Sequence, residues 1–99
     1  MIMTILEGRV AKENWPALEQ AYREGAQQAE PGLVHSYLIH ALKEPDLWRI
    51  LTIWSSHEAL EAMRQLVETP RGVLMFRRAQ CEPTLAVYEI AQQIMVEEE

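Results

Sequence analysis

The stretch "ILTIWSSHEALEAMRQL", residues 50–66, changes its period halfway along. Residues 50–54 read as the end of a β-strand, apolar on both faces. From Ser55 onward the apolar residues fall at helical spacing, with Ala59, Leu60, Met63, Leu66 and Val67 forming one stripe. Ser55 followed by Glu58 is an S-x-x-E capping box at the junction. A strand in a chain of 99 residues normally keeps one face for water. This strand therefore poses the question of what covers its second face.

Upstream, "LVHSYLIHAL" (33–42) is a second strand, joined to "WRILTIW" (48–54) through the "KEPDL" turn as a hairpin. "MTILEGRVA" (3–11) is a first strand. "KENWP" breaks it, with Asn14 as N-cap and Pro16 in the first helical turn. A helix follows, placing Leu18, Ala21, Tyr22, Gly25 and Ala29 on one side, until "PGL" ends it. Downstream, "VLMFRRAQ" (73–80) is a short helical piece and "TLAVYEIA" (84–91) a final strand. The order is β-α-β-β-α-β with a small extra helix, the ferredoxin-like arrangement of an α+β domain. One domain spans 1–99, its tail 95–99 expected to be solvated and frayed.

Two helices cover one face of such a sheet. The preferred parity turns Leu6, Gly8, Val34, Ser36, Leu38, His40, Leu51, Ile53, Ala86 and Tyr88 toward them. Tyr37, Trp48, Ile50 and Trp54 then form an apolar patch on the open face, larger than a monomer usually exposes. A second copy of the chain, packed sheet to sheet across a two-fold axis, is the expected cover. The competing reading folds the tail or the third helical piece over that face.

Net charge is −6, from nine basic and fifteen acidic residues. That disfavours nucleic acid and anionic membranes as partners. Cys81 is the single cysteine, so no intrachain disulfide forms, as suits a reducing cytoplasm. No apolar run reaches the length of a membrane span, and the basic n-region of a signal peptide is missing. The expected localisation is cytoplasmic. His35, His40 and His57 do not share a helix face, and His35 and His40 lie on opposite faces of one strand, so no metal site is expected.

The chain resembles the antibiotic biosynthesis monooxygenase family, within the dimeric α+β barrel superfamily. The resemblance rests on Glu30-Pro31-Gly32 after helix one, the Glu44-Pro45-Asp46 turn, Trp54, Ser55-Ser56-His57-Glu58-Ala59, and the closing "VYEI" (87–90). It implies a homodimeric barrel with a pocket in each subunit between sheet and helices. Some members oxidise phenols or quinols with molecular oxygen and no cofactor; others bind and open haem; many have no known activity. The haem-degrading branch places an Asn on strand one, a Trp on helix two and a His on helix three. Here the first two positions are Gly8 and Met63, and residues 73–80 hold no histidine. The resemblance therefore implies no cofactor for this chain.

The leading expectation is a cofactor-independent monooxygenase acting on a small quinol or polyphenol-type aromatic. His40 and Tyr88 are the candidate catalytic residues, with His40 as base on a phenol. Ser36, Gly8, Met63, Phe76 and Arg77 are candidate substrate contacts, Gly8 leaving room and Arg77 capping the pocket. Each has a structural alternative: His40 solvated at the strand end, Tyr88 a core tyrosine, Arg77 and Arg78 a solvated helix face. Glu7 and Glu89 are a weaker carboxylate pair, with Arg9 as a structural partner. The alternative functions are a non-catalytic small-ligand or stress-associated binding protein and a small-molecule isomerase or decarboxylase.

Overall fold

The computed structural model describes residues 1–28 and 30–97; Ala29 of the expected first helix, and Glu98 and Glu99 of the tail, lie outside them. Strand β1 (Ile2–Arg9) leads through a single 3₁₀ turn (Lys12–Asn14) to helix α1 (Trp15–Ala26). The hairpin of β2 (Leu33–His40) and β3 (Leu47–Trp54) follows, then α2 (His57–Leu66), α3 (Arg71–Arg78) and β4 (Thr84–Glu89). The sheet order is β2-β3-β1-β4, antiparallel throughout. This is the expected ferredoxin-like α+β fold.

Local chemistry places the boundaries. Gly32 closes α1's exit turn with φ +84°, a left-handed conformation that glycine adopts without a steric cost. Pro16 sits in the first turn of α1, where no intrahelical N–H is needed. The cap of α2 is Ser56 rather than Ser55. Its Oγ accepts a hydrogen bond from the Ala59 amide at 3.1 Å. The S-x-x-E box thus lies one residue out of frame with the helix it announces.

The cross-strand register corrects the expected faces. Gly8 lies opposite Trp48, Leu6 opposite Ile50, Thr4 opposite Thr52, and Ile2 opposite Trp54. Directly paired residues share a sheet face, so Trp48, Ile50 and Trp54 accompany Leu6 toward the helices. They are buried within one chain at 4% exposure each, and they are not open-face residues. Leu51 and Ile53 take the open side instead. On β4, Leu85 pairs with Leu6 while Ala86 pairs with Ile5 and Tyr88 with Met3. Ala86 and Tyr88 therefore also belong to the open face. Pairing Leu6 with Leu51 is a one-residue slip, and in a strand such a slip inverts every side chain. Ser36, Leu38 and His40 keep the expected side, opposite Thr52, Ile50 and Trp48; the register breaks between Leu33 and His35, around Val34.

The helix side carries two core clusters. Leu6, Val10, Leu18, Trp48, Ile50, Phe76 and Ala79 form one. Ile2, Trp54 and Leu60 form the other, with Leu33 and Met63 against it. Phe76 is completely buried and sits directly on Gly8, where a Cβ would come within 3.1 Å of its ring and 2.5 Å of Cys81 Sγ. Gly8 thus lets α3 approach the sheet; it does not open space for a ligand.

Candidate active site

Between the two clusters lies a cavity of about 250 Å³, floored by the sheet and walled by all three helices. Leu6 and Ile50 of the first cluster and Trp54, Leu60 and Met63 of the second face it from opposite sides. It is mostly apolar, as expected for a small-molecule site. A cavity of about 150 Å³ is already enough for benzene, so this one accommodates a substituted aromatic ring.

A few polar groups converge on it. The Tyr22 hydroxyl, from α1, donates to Ser36 Oγ on β2 at 2.9 Å. The Trp54 indole donates to Thr4 Oγ1 at 3.2 Å. Thr52 lies between Thr4 and Ser36 on the floor. Glu30, from the loop after α1, also lines the cavity. Its Oε1 forms a salt bridge with Arg71 Nε at 3.2 Å, and the other end of Arg71 donates to the Gln28 carbonyl. The Glu30 Oε2 atom is buried and has no hydrogen-bond partner among the described residues. A buried carboxylate oxygen left unsatisfied is costly, and such groups cluster where a ligand or proton supplies the missing partner.

Of the candidate catalytic and substrate-contact residues, the structure brings Ser36 and Met63 to this cavity, where Ile50 and Trp54, expected at the interface, join them. The rest lie elsewhere. His40 stacks on Trp48 at a centroid distance of 3.9 Å, with Trp15 edge-on, and its Nε2 pairs with the Pro45 carbonyl. It is exposed and does not line the cavity, because it is the last residue of β2. Tyr88 is 53% exposed on the opposite side of the sheet. Phe76 is sealed in the core. Arg77 points to solvent and forms a two-pronged ion pair with Glu82 at 2.8 and 2.9 Å. That pairing raises the Arg77 pKa and holds the Glu82 carboxyl below its usual range. Glu7 bonds Arg49 at 2.6 Å on the open face, so its ion-pair partner is Arg49 rather than Arg9; Arg9 reaches Asp46 and Glu44 instead.

Sequence reasoning missed Thr4, Thr52, Glu30 and Arg71. The helical spacing of Tyr22 already aimed it at the sheet. Glu30 and Arg71 read only as turn residues, since their meeting depends on α3 returning beside the end of α1. Burial pushes the Cys81 thiol above its ordinary range, as suits a packing role beneath Gly8. No group of three or more metal-ligating side chains occurs among the described residues, and no helix among them is long and apolar enough to cross a membrane.

The family model for antibiotic biosynthesis monooxygenases matches residues 1–71. No curated protein matches the chain in sequence. Among solved structures, a candidate antibiotic biosynthesis monooxygenase from Deinococcus radiodurans superposes with a TM-score of 0.76 at 16% identity, over 99% of this chain and 100% of that one. SnoaB, a cofactor-independent oxygenase from Streptomyces nogalater, superposes with a TM-score of 0.69 at 15% identity, over 97% of each chain. A variant of MhuD with two manganese protoporphyrin IX molecules bound per active site gives 0.71 at 17% identity, over 97% of this chain and 100% of that one. At these identities the likeness is one of fold.

Proposed function

The chain belongs to the antibiotic biosynthesis monooxygenase family, and we propose that it oxidises a small quinol or polyphenol with molecular oxygen in the cavity between sheet and helices. The observation that carries this reading is an apolar cavity of single-ring size with a carboxylate oxygen that lacks a partner among the described residues. In the overall reaction a quinol and O₂ give a hydroxylated quinone and water. One oxygen atom enters the ring, the other is reduced to water, and the ring supplies every electron. The protein's share is to hold the ring dry, accept its phenolic proton and stabilise the anion that results. Glu30 replaces His40 as the proposed proton acceptor, because His40 lies outside the cavity. Ser36 on the floor and Tyr22 on the α1 wall, joined by their hydrogen bond, orient the ring.

A tetrapyrrole does not suit this cavity. Among the described residues no imidazole lines its walls, so none is placed to ligate an iron there. No step is therefore assigned to haem.

The test is oxygen uptake by the purified chain with a panel of reduced quinols and no added cofactor. Uptake should exceed the uncatalysed rate and fall about 10²-fold or more in Glu30→Gln. Rates equal to the uncatalysed reaction across the panel would overturn the enzyme reading. Ring binding without turnover would leave a small-ligand binding protein.

The same reading takes the protein to be a homodimer joined through the open sheet face. The corrected face presents Met3, Ile5, Tyr37, Ile39, Leu51 and Tyr88 around the Glu7–Arg49 pair. Tyr37, Ile39 and Tyr88 are 51%, 40% and 53% exposed in the single chain. Tyr37 thus stays a proposed interface residue, while Trp48, Ile50 and Trp54 leave that set.

A further inference from the structure

The helix-facing side of the sheet has one central row unlike its neighbours. Leu38, Ile50 and Leu6 align across β2, β3 and β1 on one side of it, and Leu33, Trp54 and Ile2 on the other. Between these apolar rows, Ser36 pairs with Thr52 and Thr52 with Thr4. Three hydroxyl residues on three strands therefore stand side by side, with Cβ spacings of about 4.5–5.5 Å. All three line the cavity, and both threonines are only 9% exposed. Side chains of this kind, buried on an otherwise apolar face, need a reason to be there.

The hydrogen bonds give the row a direction. The Trp54 indole can only donate, so Thr4 Oγ1 is the acceptor in that bond. Ser36 Oγ accepts from the Tyr22 hydroxyl. Each hydroxyl thereby has an acceptor site occupied and keeps its own proton to give. Thr52, between them, makes no side-chain hydrogen bond among the described residues, to either neighbour or to anything else. The floor thus presents hydroxyl donors in a line and no competing carboxylate. Glu30 belongs to the loop after α1, not to the sheet.

We propose that Ser36, Thr52 and Thr4 are the subsite for an oxygen of the ligand, either the carbonyl or the phenolate oxygen of a ring lying between floor and helices. This deepens the proposed function and rests on it, since it requires an aromatic ligand in the cavity. Donors fixed on three paired strands are preorganised for the negative charge that a deprotonated ring develops. The ligand class is accordingly an oxygen-bearing aromatic rather than a bare hydrocarbon. Thr52 is the central contact, because no side-chain hydrogen bond among the described residues uses its hydroxyl.

The test compares 1-indanone with indane, which share a ring skeleton and differ by the carbonyl, in binding to the native chain and to Thr52→Val, followed by Trp fluorescence and NMR titration. Thr52→Val removes a hydroxyl and keeps a β-branched strand residue. It should weaken indanone about 2- to 10-fold, the worth of one neutral hydrogen bond, and leave indane unchanged. Thr52→Ser should retain the native indanone affinity. Indanone affinity unchanged in Thr52→Val, or an equal loss for indane, would overturn the subsite while leaving the cavity's binding role intact. Binding of neither compound to the native chain would overturn both. Should Thr52→Val fail to fold, Thr52→Ser against Thr52→Ala makes the same comparison.

Discussion

The two faces of this sheet are almost equally apolar in composition and differ in what they are built to meet. The helix side combines extremes of size. Gly8 stands opposite Trp48, and Phe76 fills the space above Gly8. Such complementarity belongs to an interior packed once and permanently. The open side sets Ile5, Leu51 and Ile53 around the Glu7–Arg49 pair, with Tyr37 and Tyr88 half-exposed on the edge strands. An apolar face that its own chain leaves half-exposed suits a second surface. Apolar content marks a face for burial, whereas the interlocking of large and small side chains marks the face that its own chain buries.

The largest effect expected on this contrast comes from the helix side. Phe76→Ala removes a fully buried ring from the first cluster and should cost about 3–5 kcal/mol, read from denaturant unfolding. A loss under about 1 kcal/mol would mean that α3 is not fixed to the sheet as described. On the open side, Leu51→Glu should leave each chain folded but convert a dimer into monomers in sedimentation. It places an unpaired charge where a second copy is proposed to pack. If Leu51→Glu unfolds the chain instead, the open face is covered from within.

Smaller effects sharpen the local assignments. Ser56→Ala should destabilise by about 1 kcal/mol through loss of the α2 cap, and Ser55→Ala by much less. Equal losses would restore the S-x-x-E box. Cys81 should alkylate more slowly at neutral pH than the same thiol in denaturant, because burial holds its pKa up and keeps the thiolate scarce. Least of all, Arg77–Glu82 and Arg78–Glu24 should add slightly to acid sensitivity. Both carboxyls are held below their usual range by the arginines, so their stabilisation is present above the unfolded carboxylate pKa of about 4.3. It is lost as pH falls through the folded value. Both pairs are solvent-exposed, and Glu82→Gln should barely move the acid midpoint.

The order of elements and the turns were legible in the chain because they depend on neighbours in sequence, and the helix ends to within a residue or two, the α2 cap being Ser56 rather than Ser55. Proline and glycine punctuate it, serine caps α2, and the period of the apolar residues changes where β3 becomes α2. Half-visible was the site. Ser36 and Met63 could be chosen from one strand and one helix, and both reach the cavity. His40 and Tyr88 could not be excluded by the same means. One lies at a strand end and the other on a strand whose register was unknown.

By itself, then, the sequence determined that this protein is an α+β ferredoxin-like domain whose sheet is apolar on both faces. Only the tertiary structure decided which face each helix took. A strand that is apolar on both faces, as β3 is, reads much the same from either side, and the choice is made by its pairing with β1, 38 to 52 residues away in the chain. The hydroxyl row has the same origin. Thr4, Ser36 and Thr52 carry no shared signal along the chain, and they become one surface only when three strands fall into register.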